Sequence, residues 1–439
     1  MRKIIITILV AAAFAPALSA QIQQQFSGDT ARFTTELSAF MGTLVSKPQK
    51  AELDLFNKLY DSTVFSRPVK DRIINVASQL RGRRLSQVPG FIYFVRTLTD
   101  FVETEQKQDE VDVWLIGLSE MAFDPRFSNS SVEKFIEVTG LLLADNTIFS
   151  AGSVRWKATH GKVEFARDTV LKIDIEAVTL TAYLGRDSTQ ILNFTGTYYP
   201  DIFRLHCQEG TVTWEKAGYD PSRVFARISD FDIDVTKSEF TCDSALLTHP
   251  TYFQVPVPGK LTDRAVNIIS PDKATMPRFE TYETRFFIDE IYRGVDYEGG
   301  LTLEGAIVRG TGSNWFPASV KLYRDDTLAI KITSRNFILS QNSISSYESS
   351  PTLYLGTDSI YHSNLGFSYN TETREVSMSR TTSPLSRGPY FDSYHDMDLY
   401  FEYLLWDMDQ PTIIMSRTRG ASIGSAKFES VSFYNEANF

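Results

Sequence analysis

The sequence predicts an α+β protein whose two kinds of structure are segregated along the chain. An all-α helical bundle or helix-hairpin stack is expected over 28–147, followed by an all-β repeat region over 151–439, with a β-solenoid favoured over an array of β-sandwiches. Three observations predict this. The apolar period changes from helical to alternating near Ala151. Aromatic residues make up 13% of the chain, chiefly 31 Phe and 20 Tyr against 5 Trp, and flat rings suit pleated faces. Strand-turn-strand phrases also recur in the second part. With 439 residues, 42% hydrophobic, 24 Gly and 17 Pro, the chain is excluded from the disordered and collagen-like classes and is long enough for two or three cores.

Residues 1–20 combine Arg2 and Lys3, an apolar run from Ile4 to Phe14 and a small-residue end, Ala15-Pro-Ala-Leu-Ser-Ala20. That is the pattern of a secretory signal peptide, with cleavage expected between Ala20 and Gln21. No cysteine follows the cleavage point closely enough for a lipoprotein anchor, and no later run is long and apolar enough for a transmembrane helix. The mature chain is expected in the periplasm or at the outer-membrane surface. Its formal charge of −10 becomes −12 without Arg2 and Lys3, which disfavours nucleic acid as a partner. The one basic cluster, Arg81-Gly-Arg83-Arg84, follows a helical run, where cations suit the helix end. Cys207 and Cys242 lie in strand-like segments; an oxidising compartment permits a disulfide, and two buried free thiols are the equal alternative.

Six apolar stripes define the helical region. They run through Phe33, Leu37, Phe40, Met41 and Leu44; Leu53, Phe56, Leu59 and Tyr60; and Ile73, Val76, Ala77 and Leu80. Phe91, Phe94, Val95, Leu98 and Phe101 follow, then Val111, Trp114, Leu115 and Leu118, and last Val132, Phe135, Ile136 and Leu142. Lys47-Pro48, Arg67-Pro68 and Pro89-Gly90 break several runs, and Ser128 offers an N-cap oxygen to the last. The domain junction is placed between Asp145 and Val154.

Beyond it, Val154, Trp156 and Ala158 alternate with polar neighbours, and Thr159-His160-Gly161 is expected to turn the chain back as a hairpin into Val163 and Phe165. Leu171-Lys-Ile173-Asp-Ile175, Val224-Phe-Ala226-Arg-Ile228 and Leu328-Ala-Ile330-Lys-Ile332 precede Asp187-Ser188, Asp243-Ser244 and Asp358-Ser359 as a blurred repeat. Leu205–Lys216 and Phe367–Arg380 both read as strand, polar turn, strand. A further copy begins at Thr412-Ile-Ile-Met415 without a visible cap, so a repeat region truncated at its C-terminal end is expected. Phe439 raises an outer-membrane barrel, but acidic strands suit a lipid-facing surface poorly.

Few constellations carry chemistry. Gly420-Ala-Ser422-Ile-Gly424 matches G-x-S-x-G, yet no His follows it as a hydrolase triad requires. Asp392, His395, Asp396 and Asp398 form the densest group of metal-ligand types; oxygen ligands of this kind suit Ca²⁺, and a solvated loop is the simpler alternative. Asp325-Asp326 has the residue types of a glycosidase pair, whose function depends on spatial flanking. No other cofactor motif is present.

Asp, then Ser or Thr, then Ala, Ile, Leu, Val, Met or Thr occurs seven times, with hydroxyls at Thr30, Ser62, Thr169, Ser188, Ser244, Thr327 and Ser359. Asp-Ser and Asp-Thr also serve as turn and cap residues. The tripeptide resembles the acceptor of the periplasmic O-glycosylation system of Bacteroides-type bacteria, and the resemblance implies sugars on those hydroxyls. Tyr198-Tyr-Pro200, Gly210-Thr-Val-Thr-Trp214, Tyr297-Glu-Gly-Gly300 and Pro389-Tyr-Phe-Asp-Ser-Tyr-His395, behind a helical segment opening near Phe26-Ser-Gly-Asp29, resemble large uncharacterised envelope proteins of Bacteroidota-type bacteria. That resemblance brings no catalytic residues. The expected function is an exported, non-enzymatic structural or binding protein of the bacterial cell envelope, with envelope proteins or glycans as partners. The alternatives are a polysaccharide-active enzyme on an elongated β scaffold and an envelope-assembly or lipid-carrier module.

Overall fold

The computed structural model describes residues 25–42, 45–104, 108–340, 342–416 and 427–431. The expected signal peptide with its Ala20/Gln21 cleavage point, the Gly420–Gly424 motif and Phe439 lie outside them. The chain divides into two compact units, Met1–Gly210 with Asp230–Phe240, and Thr211–Ser229 with Thr241–Phe439. Helices come first and antiparallel strands follow.

The first unit opens with six α-helices among the described residues: α1 (Phe33–Met41), α2 (Lys47–Asp61), α3 (Arg67–Gly82), α4 (Ile92–Glu103), α5 (Gln108–Phe123) and α6 (Asn129–Asp145). Each matches one predicted stripe. At the start of α2, Ser46 N–H donates to Gln49 Oε1 at 2.8 Å, and at α6 Ser128 Oγ accepts from Ser131 N–H at 3.1 Å, so side chains satisfy N-terminal groups that a helix cannot pair internally. Prolines stand in the first turn of α2 and α3, where the missing N–H costs nothing. The stripes bury Phe56, Ile73, Phe94, Trp114 and Phe135, and Trp114 Nε1 donates to Thr139 Oγ1 at 2.9 Å. The basic cluster is used internally. Arg83 donates to Met121 O at 2.9 Å, Ala122 O at 2.8 Å and Phe127 O, closing the C-terminal end of α5, while Arg81 lies over the Phe26 and Phe40 rings.

One carboxylate in this core opposes folding. Burial pushes the Asp100 carboxyl up to about 6, and its Oδ2 has no hydrogen-bond partner. The folded chain therefore holds this proton more tightly than the unfolded chain, so stability falls as pH rises from about 4 to about 6. Asp100→Asn is expected to raise stability at pH 7 by about 1 kcal/mol, well below the value for complete burial because the carboxyl keeps partial solvent. Paired melts at pH 4 and pH 7 check this: the gain must shrink at pH 4, and an equal gain at both would refute the assignment.

Strands β1 (Thr147–Ala151), β2 (Val154–Thr159), β3 (Lys162–Arg167), β4 (Leu171–Leu184), β5 (Asp187–Tyr199) and β6 (Arg204–Thr213) follow the helices. The helices share a core with them: the Phe101 and Phe165 rings lie 5.1 Å apart, and Leu171 packs so closely on Gly117 that a Cβ there would stand 2.7 Å from its own. This common packing explains why the compact unit runs past the end of α6.

The predicted hairpin at Thr159-His160-Gly161 is a corner instead. Both β2 and β3 pair with β4, the first along Thr179–Leu184 and the second along Leu171–Glu176. The chain bends there without reversing, with His160 at φ 57°, Gly161 at φ 98° and, opposite them on β4, Ala177 at φ 52°. Strand β4 compensates by one bulge. Burial alternates from Leu171 to Ile175, two consecutive residues, Glu176 and Ala177, are exposed, and alternation resumes from Val178 in the opposite phase. Without that slip the bend would turn every later apolar residue outward. The same two-residue slip occurs in β6 at Gln208-Glu209. The predicted polar turn within Leu205–Lys216 is therefore a bulge in one continuous strand.

Strand β7 (Phe225–Ile228) belongs to the second unit and β8 (Phe231–Asp234) to the first. Of β9 (Glu239–Thr248) the residues from Thr241 on belong to the second unit, which continues with β10 (Val257–Arg264), β11 (Arg278–Thr281), β12 (Phe286–Tyr292), β13 (Val295–Glu304), β14 (Ile307–Thr311), β15 (Ala318–Arg324), β16 (Thr327–Ser334), β17 (Asn336–Ser340) and β18 (Ser343–Leu355). Then come β19 (Asp358–Tyr361), β20 (Leu365–Asn370), β21 (Glu375–Ser379), β22 (Tyr390–Asp392), β23 (Met397–Tyr400), β24 (Tyr403–Asp407), β25 (Ile413–Ser416) and β26 (Lys427–Ser430). Here too long strands bend. One half of β13 pairs with β15 and the other with β14. In β18, Ser349–Leu353 pair with β16 while Ile338–Ser340 of β17 pair with its first residues. At that bend β18 exposes Tyr347 and half-exposes Glu348, and its buried phase flips. Hydroxyls replace ladder bonds lost there: Ser334 Oγ meets Ser346 Oγ at 2.8 Å and donates to Glu348 O at 2.7 Å, and Ser349 Oγ donates to Leu365 O at 2.9 Å. The predicted Phe367–Arg380 hairpin is present as β20 and β21. Inner positions such as Val320, Leu322, Ile330, Ile332 and Leu353 are fully buried.

Candidate functional site

The carboxylate group at Asp392–Asp398 is built on the turn between β22 and β23. Asp392 is buried, its Oδ1 accepts from Tyr394 N–H at 3.0 Å and its Oδ2 lies 2.7 Å from His395 Nδ1. Burial works against its charge, but hydrogen bonds from the His395 side chain and the Tyr394 and His395 backbone outweigh it and hold the carboxyl below its ordinary value. Asp396 occupies the turn at φ 53°, and Asp398 enters β23 opposite Phe391 and Glu429. The structure thus brings Asp392 and His395 together. Among the described residues no group of three or more His, Cys, Asp or Glu side chains is placed to hold a metal ion.

Asp325 and Asp326 form the two-residue tip between β15 and β16 with φ of 49° and 58°, the conformation a tight hairpin demands. Four of the seven Asp-Ser or Asp-Thr pairs sit at such strand connections, around Thr169, Ser188, Thr327 and Ser359. Thr30 and Ser62 flank helices, and Ser244 lies at a phase slip in β9, its Oγ donating to Ser229 O. None of the seven residues is buried. Turn chemistry therefore accounts for much of the recurrence, while the hydroxyl-bearing residues stay at the surface. Cys207 and Cys242 are both buried.

A cleft that the sequence reading passed over lies in the second unit. It has a volume of about 680 Å³ and is floored by polar side chains from adjacent strands, including Glu298 of β13, Ser319 of β15, and Lys331 and Thr333 of β16. The β14–β15 connection forms its wall and carries Trp315 and Phe316, 88% and 72% exposed. That wall is fixed: Ser313 N–H donates to Phe316 O at 2.9 Å, Phe316 N–H donates to Ser313 Oγ at 3.0 Å, and Arg335 reaches Asn314 Oδ1 at 3.3 Å. The available signal was two aromatics within a polar loop, Gly312-Ser-Asn-Trp-Phe-Pro317, where apolar side chains have no core to enter.

No helix among the described residues is long and apolar enough to cross a membrane. Comparison of the chain with protein-family models, with curated proteins and with solved structures gives no match in any of the three.

Proposed function

We propose that this chain is an exported, non-enzymatic structural or binding protein of the bacterial cell envelope, built as a solenoid-like stack of bent strands. The observation that supports it best is the recurring phase-corrected strand. In β4 and β18 one long strand serves shorter partners along both arms, so the architecture extends by adding strands while keeping one apolar face inward. Such a scaffold offers a broad outer face for recognition. The charged-apolar-small pattern of residues 1–20 supports export.

Fractionation tests the address. Cells expressing the full chain are expected to yield protein beginning at Gln21 in the envelope fraction, and an unprocessed cytoplasmic product would overturn export. Turnover tests the role. Purified protein is expected to leave glycans, peptides and esters unchanged, whereas hydrolysis abolished by one carboxylate substitution would replace the scaffold reading by the enzyme reading. The surface position of the seven Asp-Ser/Thr hydroxyl residues also supports O-glycosylation of protein made in its native host; an intact mass equal to that of the mature sequence would end that proposal.

A further inference from the structure

We propose that the cleft beside Trp315 binds an acidic saccharide, with a sugar ring stacked on the indole and its carboxylate on Lys331. Two independent observations carry this. The first is the wall. Trp315 is the one exposed tryptophan of the five; Trp114, Trp156, Trp214 and Trp406 are all buried. An indole face held open to water by a hydrogen-bonded loop costs apolar exposure, and the C–H faces of a pyranose cover such a surface while its hydroxyls remain free to bond. The floor supplies hydroxyl partners at Thr311, Ser319 and Thr333.

The second observation is charge. In a chain of net charge −10, Lys321 and Lys331 stand directly opposite each other on β15 and β16. Like charges in that position repel. Glu298 is committed to Arg285, 2.6 Å away, and lies 4.0 Å from Lys321. The Lys331 side chain makes no hydrogen bond or ion pair in the structure and lines the cleft floor. An anionic group seated there relieves the repulsion and gains a charge-assisted hydrogen bond. A cleft of about 680 Å³ has the size of an ordinary small-ligand site.

This inference does not rest on export, and purified protein tests it separately. The probes are tetragalacturonate, neutral cellotetraose and phosphatidylglycerol vesicles. Tetragalacturonate is expected to change the fluorescence of Trp315 and to bind more tightly than cellotetraose. By calorimetry, Trp315→Ala is expected to weaken it by at least about tenfold. Lys331→Gln is expected to weaken it by about tenfold and to abolish the preference for the acidic sugar. Both variants should melt no lower than the parent, because neither side chain is packed in the core. Absence of tetragalacturonate binding, or binding unchanged by Trp315→Ala, overturns the proposal. Equal affinity for cellotetraose overturns its acidic part, and Trp315-dependent binding to the vesicles alone replaces it with a membrane-surface contact.

Discussion

Replacing Gly161 by alanine is expected to cost about 3–5 kcal/mol. Gly161 sits at φ 98°, where a side chain is strained, and a Cβ there would stand 2.5 Å from Glu176 O and 2.6 Å from Ala177 O. Both neighbours are backbone atoms of the bulge in β4, so neither can rotate away. Relief requires the corner to open, which breaks pairing of β2 or β3 with β4. Gly185→Ala is the control. Its φ of 62° carries the same kind of backbone strain, but no atom lies within 4 Å of its added methyl. A loss of about 1–2 kcal/mol is expected there. Urea unfolding followed by far-ultraviolet circular dichroism separates the two, and equal losses would show that the corner contact has no energetic weight.

Arg83→Met is expected to destabilise the helical part by about 2–4 kcal/mol, because it leaves the last carbonyls of α5 without a partner while keeping the apolar stem. The guanidinium spans Met121 O, Ala122 O, Phe127 O and Asn129 Oδ1, a set that only a planar fork reaches together. Arg83→Lys should recover less than half of the loss. A methionine variant within 0.5 kcal/mol of the parent, judged against the usual scatter of surface substitutions, would sink this account.

The helices were legible because their signals are local. Ile73, Val76, Ala77 and Leu80 already mark the buried face of α3, and Ser46, Pro48, Pro68 and Ser128 mark where three helices start. The corners were not legible, since Thr159-His160-Gly161 has the composition of a reversal and of a bend alike. The choice between them is made by β4, a partner that begins ten residues later. Gln208-Glu209-Gly210 misled for the same reason. The Asp392–Asp398 group was conspicuous in sequence, and the contacts of Asp392 with Tyr394 N–H and His395 Nδ1 arise within that same short segment. The Trp315 cleft has the opposite character. Thr284, Glu298, Ser319 and Thr333 come from separate elements, so no short motif announces them.

The phase slip has a genetic corollary. A strand that carries its own correction tolerates a single-codon insertion only at the exposed pair itself, such as Glu176-Ala177 or Tyr347-Glu348, because anywhere else in an arm the extra residue exchanges inside for outside up to the next turn. Whole bent strands, by contrast, can be duplicated or lost as modules, each bringing its inside and outside already in frame. Length variation in such a chain should therefore come in quanta of complete strands, with single-residue differences confined to the corners and hairpin tips.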